Sequence, residues 1–272
     1  MVKLLKNKKI KQTCYQYTNP SNIIGNKYMK DFTKSFIYIN LKKISKRQDI
    51  LMKLFAISDI HSHLNSFSAV TKIMKDSDII VISGDLTRKG SRVEAIRVLN
   101  CIEPYNRNIL AVHGNKDKFG VITLLEEKGY NIHNEGRIIN DIGFFGVGGS
   151  SPTPMNTPTE YSEEVIMEFL QKGYASIKDA RKTILISHTP PRGIRDKTFL
   201  LLRGGSKSIK KFLIKNSIDL CLSGHIHEAS GIEYHNIGIV ANPGSFSRGK
   251  YLSVEINTHI NIHHGKIKKN KK

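Results

Sequence analysis

Short apolar runs alternate with amphipathic stretches from residue 54 onward. Apolar runs of four or five residues bounded by polar residues predict buried strands, and apolar positions three or four apart predict helices. Strands are predicted at 54–57, 79–82, 109–112, 184–186 and 218–222. Helices are predicted around 64–74, 91–102, 117–128, 160–171 and 206–215. Ser91 and Glu94 have the spacing of a capping box at the start of the second helix.

Strand and helix in alternation predict a largely parallel sheet with crossover helices. Two segments, 131–148 and 231–264, contain only strand-like runs and predict additional antiparallel strands. A loop rich in Gly, Ser, Pro and Thr follows the first of them at 149–159, and the second is broken at 242–245. The pattern therefore predicts an α/β fold that includes mixed sheets.

The basic charge of the chain is concentrated at its two ends. Residues 1–53 carry 13 Lys or Arg and two acidic residues, a balance of +11, and residues 264–272 add +5. The stretch between them contributes only +4 of the total of +20. This distribution favours solvated tails over a nucleic-acid-binding surface, although nucleic acid stays an alternative partner. We predict a basic, disordered extension over 1–51, a patterned domain over 52–264 and a Lys-rich tail over 265–272.

The remaining composition favours a cytoplasmic protein without a membrane partner. The three cysteines are far apart and form no Cys-x-x-Cys motif, which is typical of a reducing compartment. No apolar run reaches the roughly 18 residues of a membrane span, and the N-terminus lacks the pattern of a secretory signal. Because periodic sequence begins abruptly at Met52, a second interpretation of the basic extension is that translation starts at Met52.

Polar side chains follow each of the five predicted strands at the point where the strand ends. In an open α/β sheet the carboxyl ends of parallel strands meet at one edge, where ligands bind. The side chains expected at this edge are Asp59, His61, Asp85, Asn115, His188, His225 and His227. A glycine precedes Asp85, Asn115 and His225, which allows close backbone approach or a positive φ.

This set offers oxygen and imidazole donors and no thiolate. Such donors suit Mn, Fe, Zn, Co or Ni. Each piece alone is commonly a turn or a helix cap, but five of them directly after five apolar strands indicate a metal site. Seven ligands are too many for one tetrahedral ion and suit two ions that share a carboxylate.

In this order the motifs resemble those of the calcineurin-like metallophosphoesterase superfamily. The motifs are Asp59-x-His61, Gly84-Asp85, Gly114-Asn115-x-Asp117, His188 and Gly224-His225-x-His227. The resemblance covers roughly residues 54–256. Three further segments, 187–191, 205–206 and 242–245, are similar to a microbial branch of predicted phosphoesterases, which does not define a substrate.

The resemblance implies a four-layer α/β/β/α sandwich of two mixed sheets flanked by helices. It also implies two divalent ions, with manganese favoured, and hydrolysis of a small phosphoester by a metal-bridging hydroxide. A phosphodiester is the favoured substrate. The implied ligands of the first ion are Asp59, His61, Asp85 and His227. The implied ligands of the second ion are Asp85, Asn115, His188 and His225, so that Asp85 would bridge.

The third motif departs from the superfamily pattern at Lys116. Many members have His there, which serves the leaving group and is oriented by the acidic residue that this chain keeps as Asp117. Lysine can stabilise a developing alkoxide, but it is a poor proton donor near neutral pH. We therefore expect good leaving groups, such as aryl phosphodiesters, to be favoured. Asn115 is expected both to bind metal and to hold the phosphate, and Asp117 and Lys116 are the other candidate catalytic residues.

Three arginines that follow the His188 motif, Arg192, Arg195 and Arg203, are candidate phosphate clamps, since guanidinium binds phosphate in bidentate fashion. A solvated loop is the alternative interpretation of these arginines. Two functional alternatives also stay open. One is a metal-dependent nuclease that uses the basic ends, and the other is a non-catalytic scaffold that keeps the fold. The sequence leaves the physiological substrate, the identity of the metals and the oligomeric state undetermined.

Overall fold

The computed structural model describes residues 51–267. The predicted N-terminal extension, except for Leu51, and residues 268–272 of the predicted tail lie outside the described residues. The question of whether Met52 is the first residue of the native protein therefore stays open. Within residues 51–267, none of the helices combines the length and the apolar character needed to cross a membrane.

Strands and α-helices are numbered here in chain order over the described residues. The strands are β1 (Met52–Ile57), β2 (Ile79–Ser83), β3 (Ile109–Val112), β4 (Gly136–Ile139), β5 (Ile142–Val147), β6 (Lys182–Ser187), β7 (Leu220–Leu222), β8 (Gly231–His235), β9 (Gly238–Asn242), β10 (Lys250–Ile256) and β11 (Ile260–Lys266). The helices are α1 (Thr71–Asp76), α2 (Arg92–Asn100), α3 (Phe119–Glu127), α4 (Glu163–Ala175) and α5 (Lys207–Asn216).

The strands form two mixed sheets. The first has the order β11-β10-β1-β2-β3, in which β1, β2 and β3 are parallel and β10 and β11 are antiparallel additions. The second has the order β4-β5-β6-β7-β9-β8, in which the four central strands are parallel and the two edge strands are antiparallel. The predicted α/β class and the two mixed sheets are confirmed.

Alternation along the central strands divides the core into layers. In β1, Phe55 and Ile57 pack toward α1, α2 and α3, whereas Leu54 and Ala56 pack toward the second sheet. In the second sheet, Leu185 of β6 packs toward α4 and α5 on the outer side. Successive residues of a strand face opposite sides, so strands that are buried on both faces appear as continuous apolar runs. The result is the predicted four-layer α/β/β/α sandwich.

The predicted helices are present, with small shifts at their starts. The helix predicted around 64–74 consists of a 3₁₀ turn at Phe67–Val70 followed by α1. The capping box predicted at Ser91 and Glu94 is formed in both directions. Ser162 and Ser206 likewise cap α4 and α5 with their hydroxyls. These caps satisfy backbone N–H groups that have no partner inside the helix.

Candidate metal centre

The seven side chains that follow the predicted strands converge at the carboxyl edge of the two sheets. Asp59 and His61 follow β1, Asp85 follows β2 and Asn115 follows β3 in the first sheet. His188 follows β6, and His225 and His227 follow β7 in the second sheet. Asp59, Asp85, Asn115 and His188 are almost completely buried. Parallel pairing therefore brings residues from two sheets, up to 168 positions apart in the chain, into one polar cluster.

One part of the cluster is built from Asp59, His61 and His227. His227 Nε2 lies 3.1 Å from Asp59 Oδ1, and His61 Nε2 lies 3.9 Å from the same oxygen. The Nε2 atoms of His61 and His227 are 3.2 Å apart. Two imidazole nitrogens at this distance either share one proton or direct both lone pairs at a cation. One ligand atom from each of the three residues lies within 4.8 Å of the others, which is compatible with a single metal ion.

The other part of the cluster is built from Asn115, His188 and His225. The amide oxygen of Asn115 lies 3.0 Å from His188 Nε2 and 3.1 Å from His225 Nδ1. The amide nitrogen of Asn115 donates instead to Thr157 Oγ1, at 2.9 Å. Thr157 in turn donates to the Glu160 carboxylate. This chain of hydrogen bonds orients the amide so that its oxygen, the metal-binding atom, faces the two histidines.

Asp85 lies between the two parts of the cluster. Its Oδ2 is 3.8 Å from His61 Nε2, and its Oδ1 is 3.6 Å from His188 Nε2. The two oxygens of one carboxylate thus face histidines of different parts. Oδ1 also accepts a hydrogen bond from the backbone N–H of Lys116, at 2.9 Å, which holds the carboxylate in this orientation. This geometry is compatible with a carboxylate that binds cations on both sides.

Two of the four histidines, His188 and His61, present a lone pair toward the cluster because the other ring nitrogen has a hydrogen-bond partner. His188 Nδ1 lies 2.7 Å from the carbonyl oxygen of Ser83, and His61 Nδ1 lies 3.4 Å from that of Thr87. A carbonyl oxygen only accepts, so Nδ1 donates the proton and Nε2 is left with its lone pair. Metal-ligating histidines in proteins commonly have this second hydrogen bond. The residues present therefore fit divalent metal ions.

The protonation states of the cluster also suit cation binding. Burial lowers the pKa of His61 to about 4 and that of His225 to about 3, so both rings are neutral at pH 7. Burial opposes ionisation of Asp59, but the hydrogen bond from His227 and the nearby histidines hold the pKa of Asp59 below its usual value. Burial raises the pKa of Asp85 to about 7. A buried carboxylate of this kind is stabilised by a bound cation.

Four of the proposed ligands have a strained backbone conformation. Asp59, His61, Asp85 and His225 all have positive φ, between 48° and 64°. Non-glycine residues rarely adopt this conformation, and clusters of such residues mark functional sites. The glycines before the ligands serve close packing: a Cβ on Gly114 would overlap the Asp85 carboxylate, and one on Gly84 would overlap the His188 ring. The expectation of close approach at these glycines is met.

The structure places Asp117 beneath the cluster, where it holds two loops together. Its carboxylate accepts from the backbone N–H groups of Leu86, Thr87 and Gly114 at 2.8–3.1 Å, and from the Thr87 hydroxyl at 2.7 Å. Asp117 is fully buried, and burial raises its pKa. The loop after β2 and the loop after β3 are therefore joined directly below Asp85 and Asn115. These four bonds give Asp117 a structural role, and its predicted catalytic role stays a prediction.

Lys116 lies beside the cluster and is partly exposed. Its backbone N–H binds Asp85, as described above. Its side-chain charge lies close enough to His61 and His225 to contribute, after burial, to the lowering of both pKa values. The ammonium group is therefore near the cluster.

The three predicted phosphate clamps each have partners within the protein. Arg195 donates to the carbonyl oxygens of Ser230 and Ile232 and pairs with Glu233 at 2.8 Å. Arg203 pairs with the buried Asp196 at 2.7 Å, and Arg192 donates to the carbonyl oxygen of Arg203 at 3.0 Å. Their role in phosphate binding stays a prediction. Of the three, Arg195 has the most partners within the described part of the protein.

The sequence analysis assigned no supporting role to four residues that the structure places in contact with the cluster or its loops. Thr157 and Glu160 orient Asn115, as described above. Asn242 donates to the carbonyl oxygens of Gly224 and Ile226 and so holds the loop that carries His225 and His227. Ser245 donates to the carbonyl oxygen of Asp59 at 2.9 Å. The segment 242–245 was singled out by its resemblance alone. For Thr157 and Glu160 the available signal was only a Thr-x-x-Glu spacing inside a loop.

Comparison with known proteins agrees with this architecture. The family model described as "Calcineurin-like phosphoesterase" matches residues 52–229. An uncharacterized protein of Methanocaldococcus jannaschii is 36% identical over 197 residues, which are 71% of this chain and 88% of the relative.

Solved structures also share the fold. A protein of Thermus thermophilus superposes with a TM-score of 0.62 at 17% identity, covering 80% of this chain and 100% of the other. A dimetal phosphatase from Danio rerio superposes with a TM-score of 0.58 at 10% identity, covering 79% of this chain and 96% of the other. At these identities the superpositions show the fold alone.

Proposed function

Because this chain belongs to the calcineurin-like phosphoesterase family and is thus a phosphoester hydrolase, we propose that it cleaves a small phosphodiester with two divalent metal ions. The first ion would be held by Asp59, His61, Asp85 and His227. The second ion would be held by Asp85, Asn115, His188 and His225. Manganese is the proposed metal, and Fe, Zn, Co and Ni are also compatible with these donors.

The single observation that carries this proposal is the placement of Asp85. Its two oxygens face histidines on opposite sides, at 3.8 and 3.6 Å, in a cluster that has enough donors for two ions. A site for one ion would leave several buried donors without a partner. Unpartnered buried polar groups are costly, which supports two ions.

The residues of the chain have distinct parts in the proposed reaction. A bound pair of divalent ions supplies a hydroxide near neutral pH and neutralises charge on the phosphate. Asp85 holds both sides of the site in register. Asn115, whose amide nitrogen donates one hydrogen to Thr157, would donate the other to a phosphate oxygen. Lys116 stabilises the negative charge that develops on the departing oxygen.

The proposed function is tested with purified chain loaded with Mn²⁺ and assayed against phosphomonoesters, linear and cyclic phosphodiesters, and nucleic acids. We expect turnover of a small diester, with two metal ions bound per chain by elemental analysis. Faster cleavage of nucleic acid, with a rate that falls steeply with salt, would instead support a nuclease. Metal binding without turnover of any phosphoester would support a non-catalytic scaffold.

Replacing Lys116 by alanine is expected to slow poor leaving groups more than good ones. An alkyl diester should lose roughly 10- to 100-fold in kcat, because a charge that stabilises the departing alkoxide is removed. A nitrophenyl diester, whose leaving group is stable without help, should lose less than about threefold. Steady-state kinetics on the two diesters measures the difference.

Lys118→Ala is the matched control, since Lys118 is the exposed lysine two positions further along the chain. It should leave both rates near wild type. Equal rates for Lys116→Ala and wild type on both substrates would remove Lys116 from the mechanism.

A further inference from the structure

Residues 197–203 form a hairpin whose turn consists of four large apolar residues. A backbone bridge joins Lys197 and Arg203 at its base. Across the turn, the N–H of Thr198 donates to the carbonyl oxygen of Leu202 and the N–H of Leu201 donates to that of Thr198, both at 2.9 Å. The apolar tip consists of Phe199, Leu200, Leu201 and Leu202, whose exposed fractions are 74%, 62%, 76% and 62%. Contiguous apolar side chains with this exposure are unusual on a soluble surface and mark a site of interaction.

One leucine of the apolar tip has a strained backbone conformation. Leu201 has a φ of +61°. This turn conformation ordinarily requires glycine or asparagine, because a branched side chain clashes with its own backbone. Two glycines follow in the chain at Gly204 and Gly205, yet a leucine occupies the strained position. An apolar side chain at a strained turn position marks the tip as a candidate functional site.

A basic collar surrounds the base of the hairpin. It consists of Arg192, Lys197, Arg203 and Lys210, all of which are exposed. Arg192 donates to the carbonyl oxygen of Arg203 at 3.0 Å, and Lys210 Nζ lies next to Gly193. Asp196 is the single acidic residue in the sequence between Arg192 and Lys210, and it is buried and paired with Arg203. The collar therefore places four positive side chains around the base of the hairpin, of which Arg203 is paired with Asp196.

The base of the hairpin lies beside the candidate metal centre. The hairpin begins shortly after His188, and its two ends are joined by a bridge between Pro191 and Ser206. At its base Gly204 packs against Ile226, the residue between His225 and His227. The apolar tip is therefore carried by a segment that contacts a ligand loop of the site.

We propose that the apolar tip is an anchor that inserts into the surface of an anionic lipid bilayer and turns the active-site edge toward it. Apolar side chains of an interfacial anchor enter the boundary between headgroups and acyl chains, and flanking Lys and Arg bind anionic headgroups. The long stems of the collar residues can follow the apolar tip while their charges stay among the headgroups. Such an anchor needs no membrane-spanning helix.

The alternative occupant, a second copy of this chain, fits less well. In a two-fold contact the same patch meets itself, so the basic collar of one copy would face that of the other. A stable protein interface also uses about 20–30 residues from each partner, whereas the tip supplies four. An anionic lipid surface complements both the apolar tip and its positive surroundings.

Tryptophan fluorescence tests the anchor directly, because the chain contains no tryptophan. Phe199→Trp places the sole indole on the tip, and Tyr105→Trp is the control, since Tyr105 is also exposed but lies between α2 and β3, at the edge opposite the carboxyl ends of the strands. The full chain is titrated at physiological salt with vesicles of phosphatidylcholine, with and without roughly a third phosphatidylglycerol. We expect a blue shift of Phe199→Trp emission and quenching by brominated lipid on the anionic vesicles, and neither change for Tyr105→Trp.

A second pair of changes measures the contribution of the tip to binding. Leu200→Ser combined with Leu202→Ser should weaken cosedimentation with anionic vesicles by at least about tenfold, because two large apolar side chains are removed.

Unchanged Phe199→Trp emission on anionic vesicles would overturn the proposal. So would equal shifts in both tryptophan variants, which would mean that the basic chain adheres without insertion. A shift that depends on protein concentration without lipid would identify a second copy as the occupant. None of these readouts requires hydrolysis, so the anchor can fail while the proposed function stands.

Discussion

Asp85→Ala is expected to abolish hydrolysis of every phosphoester that the wild-type chain cleaves, a loss of about a thousandfold or more in kcat. Asp85 is the side chain whose two oxygens face His61 and His188 on opposite sides. Its removal takes one donor from each proposed ion and the group that the two ions share. Elemental analysis of the dialysed variant should show that it retains fewer than two ions per chain.

The control for this change is Asp76→Ala, which removes an exposed carboxylate that pairs with Lys72 on the surface. It should leave both metal content and rate within about twofold of wild type, since exposed ion pairs contribute little. An Asp85→Ala variant that kept both metals and a tenth or more of the wild-type rate would contradict the shared role of Asp85.

Asp85→Asn is expected to raise the stability of the metal-free protein at high pH while it removes activity. Burial raises the pKa of Asp85 from 3.8 to about 7, so the metal-free folded chain holds a proton that the unfolded chain has released. The stability of the metal-free wild type therefore falls as pH rises from about 4 to about 7. Above pH 7 the neutral amide should make the metal-free variant more stable than wild type, by on the order of 1–3 kcal/mol, while activity is lost. Urea denaturation at pH 5 and pH 8 measures this difference.

The ligands of the candidate centre could be predicted because each one follows an apolar strand directly. The run 109–112 predicts β3, and Asn115 then lies at the edge that parallel strands share. The same reasoning located Asp59, Asp85 and His188. These predictions depend on local periodicity and on one general rule of sheet topology. Neither requires knowledge of which residues touch.

The supporting contacts could not be predicted in this way, because they join segments that are distant in sequence. Asn115 is oriented by Thr157, 42 positions away, and Arg195 is held by Ser230, 35 positions away. The start of the first helix shifted for a similar reason. The backbone N–H groups of His61 and Ser62 bond to the carbonyls of Asp85 and Leu86, and the helix therefore starts later than its apolar spacing predicts. Tertiary hydrogen bonds override local propensity in such loops.

The same distinction applies to Asp117, whose predicted catalytic role stays a prediction and whose buried contacts could not be predicted from the sequence. In the family pattern an acidic residue here orients a histidine, and this chain has Lys116 in place of that histidine. The structure directs the Asp117 carboxylate inward to four donors on two ligand loops. With the histidine absent, what the structure assigns to Asp117 is the positioning of Asp85 and Asn115.

Asp117→Ala is therefore expected to destabilise the metal-free fold by roughly 3–5 kcal/mol, the largest stability effect among the residues discussed here. The change leaves three buried backbone N–H groups and the Thr87 hydroxyl without their acceptor. Relief from burying the carboxylate, whose pKa is raised by burial, offsets part of that cost. Urea denaturation followed by circular dichroism measures the change.

The control is Asp179→Ala, at an exposed position, which should change stability by less than about 0.5 kcal/mol. Equal stability of the two variants would contradict this role of Asp117, because other contacts would then hold the loops after β2 and β3 together. The predicted catalytic role would then be the better explanation of Asp117.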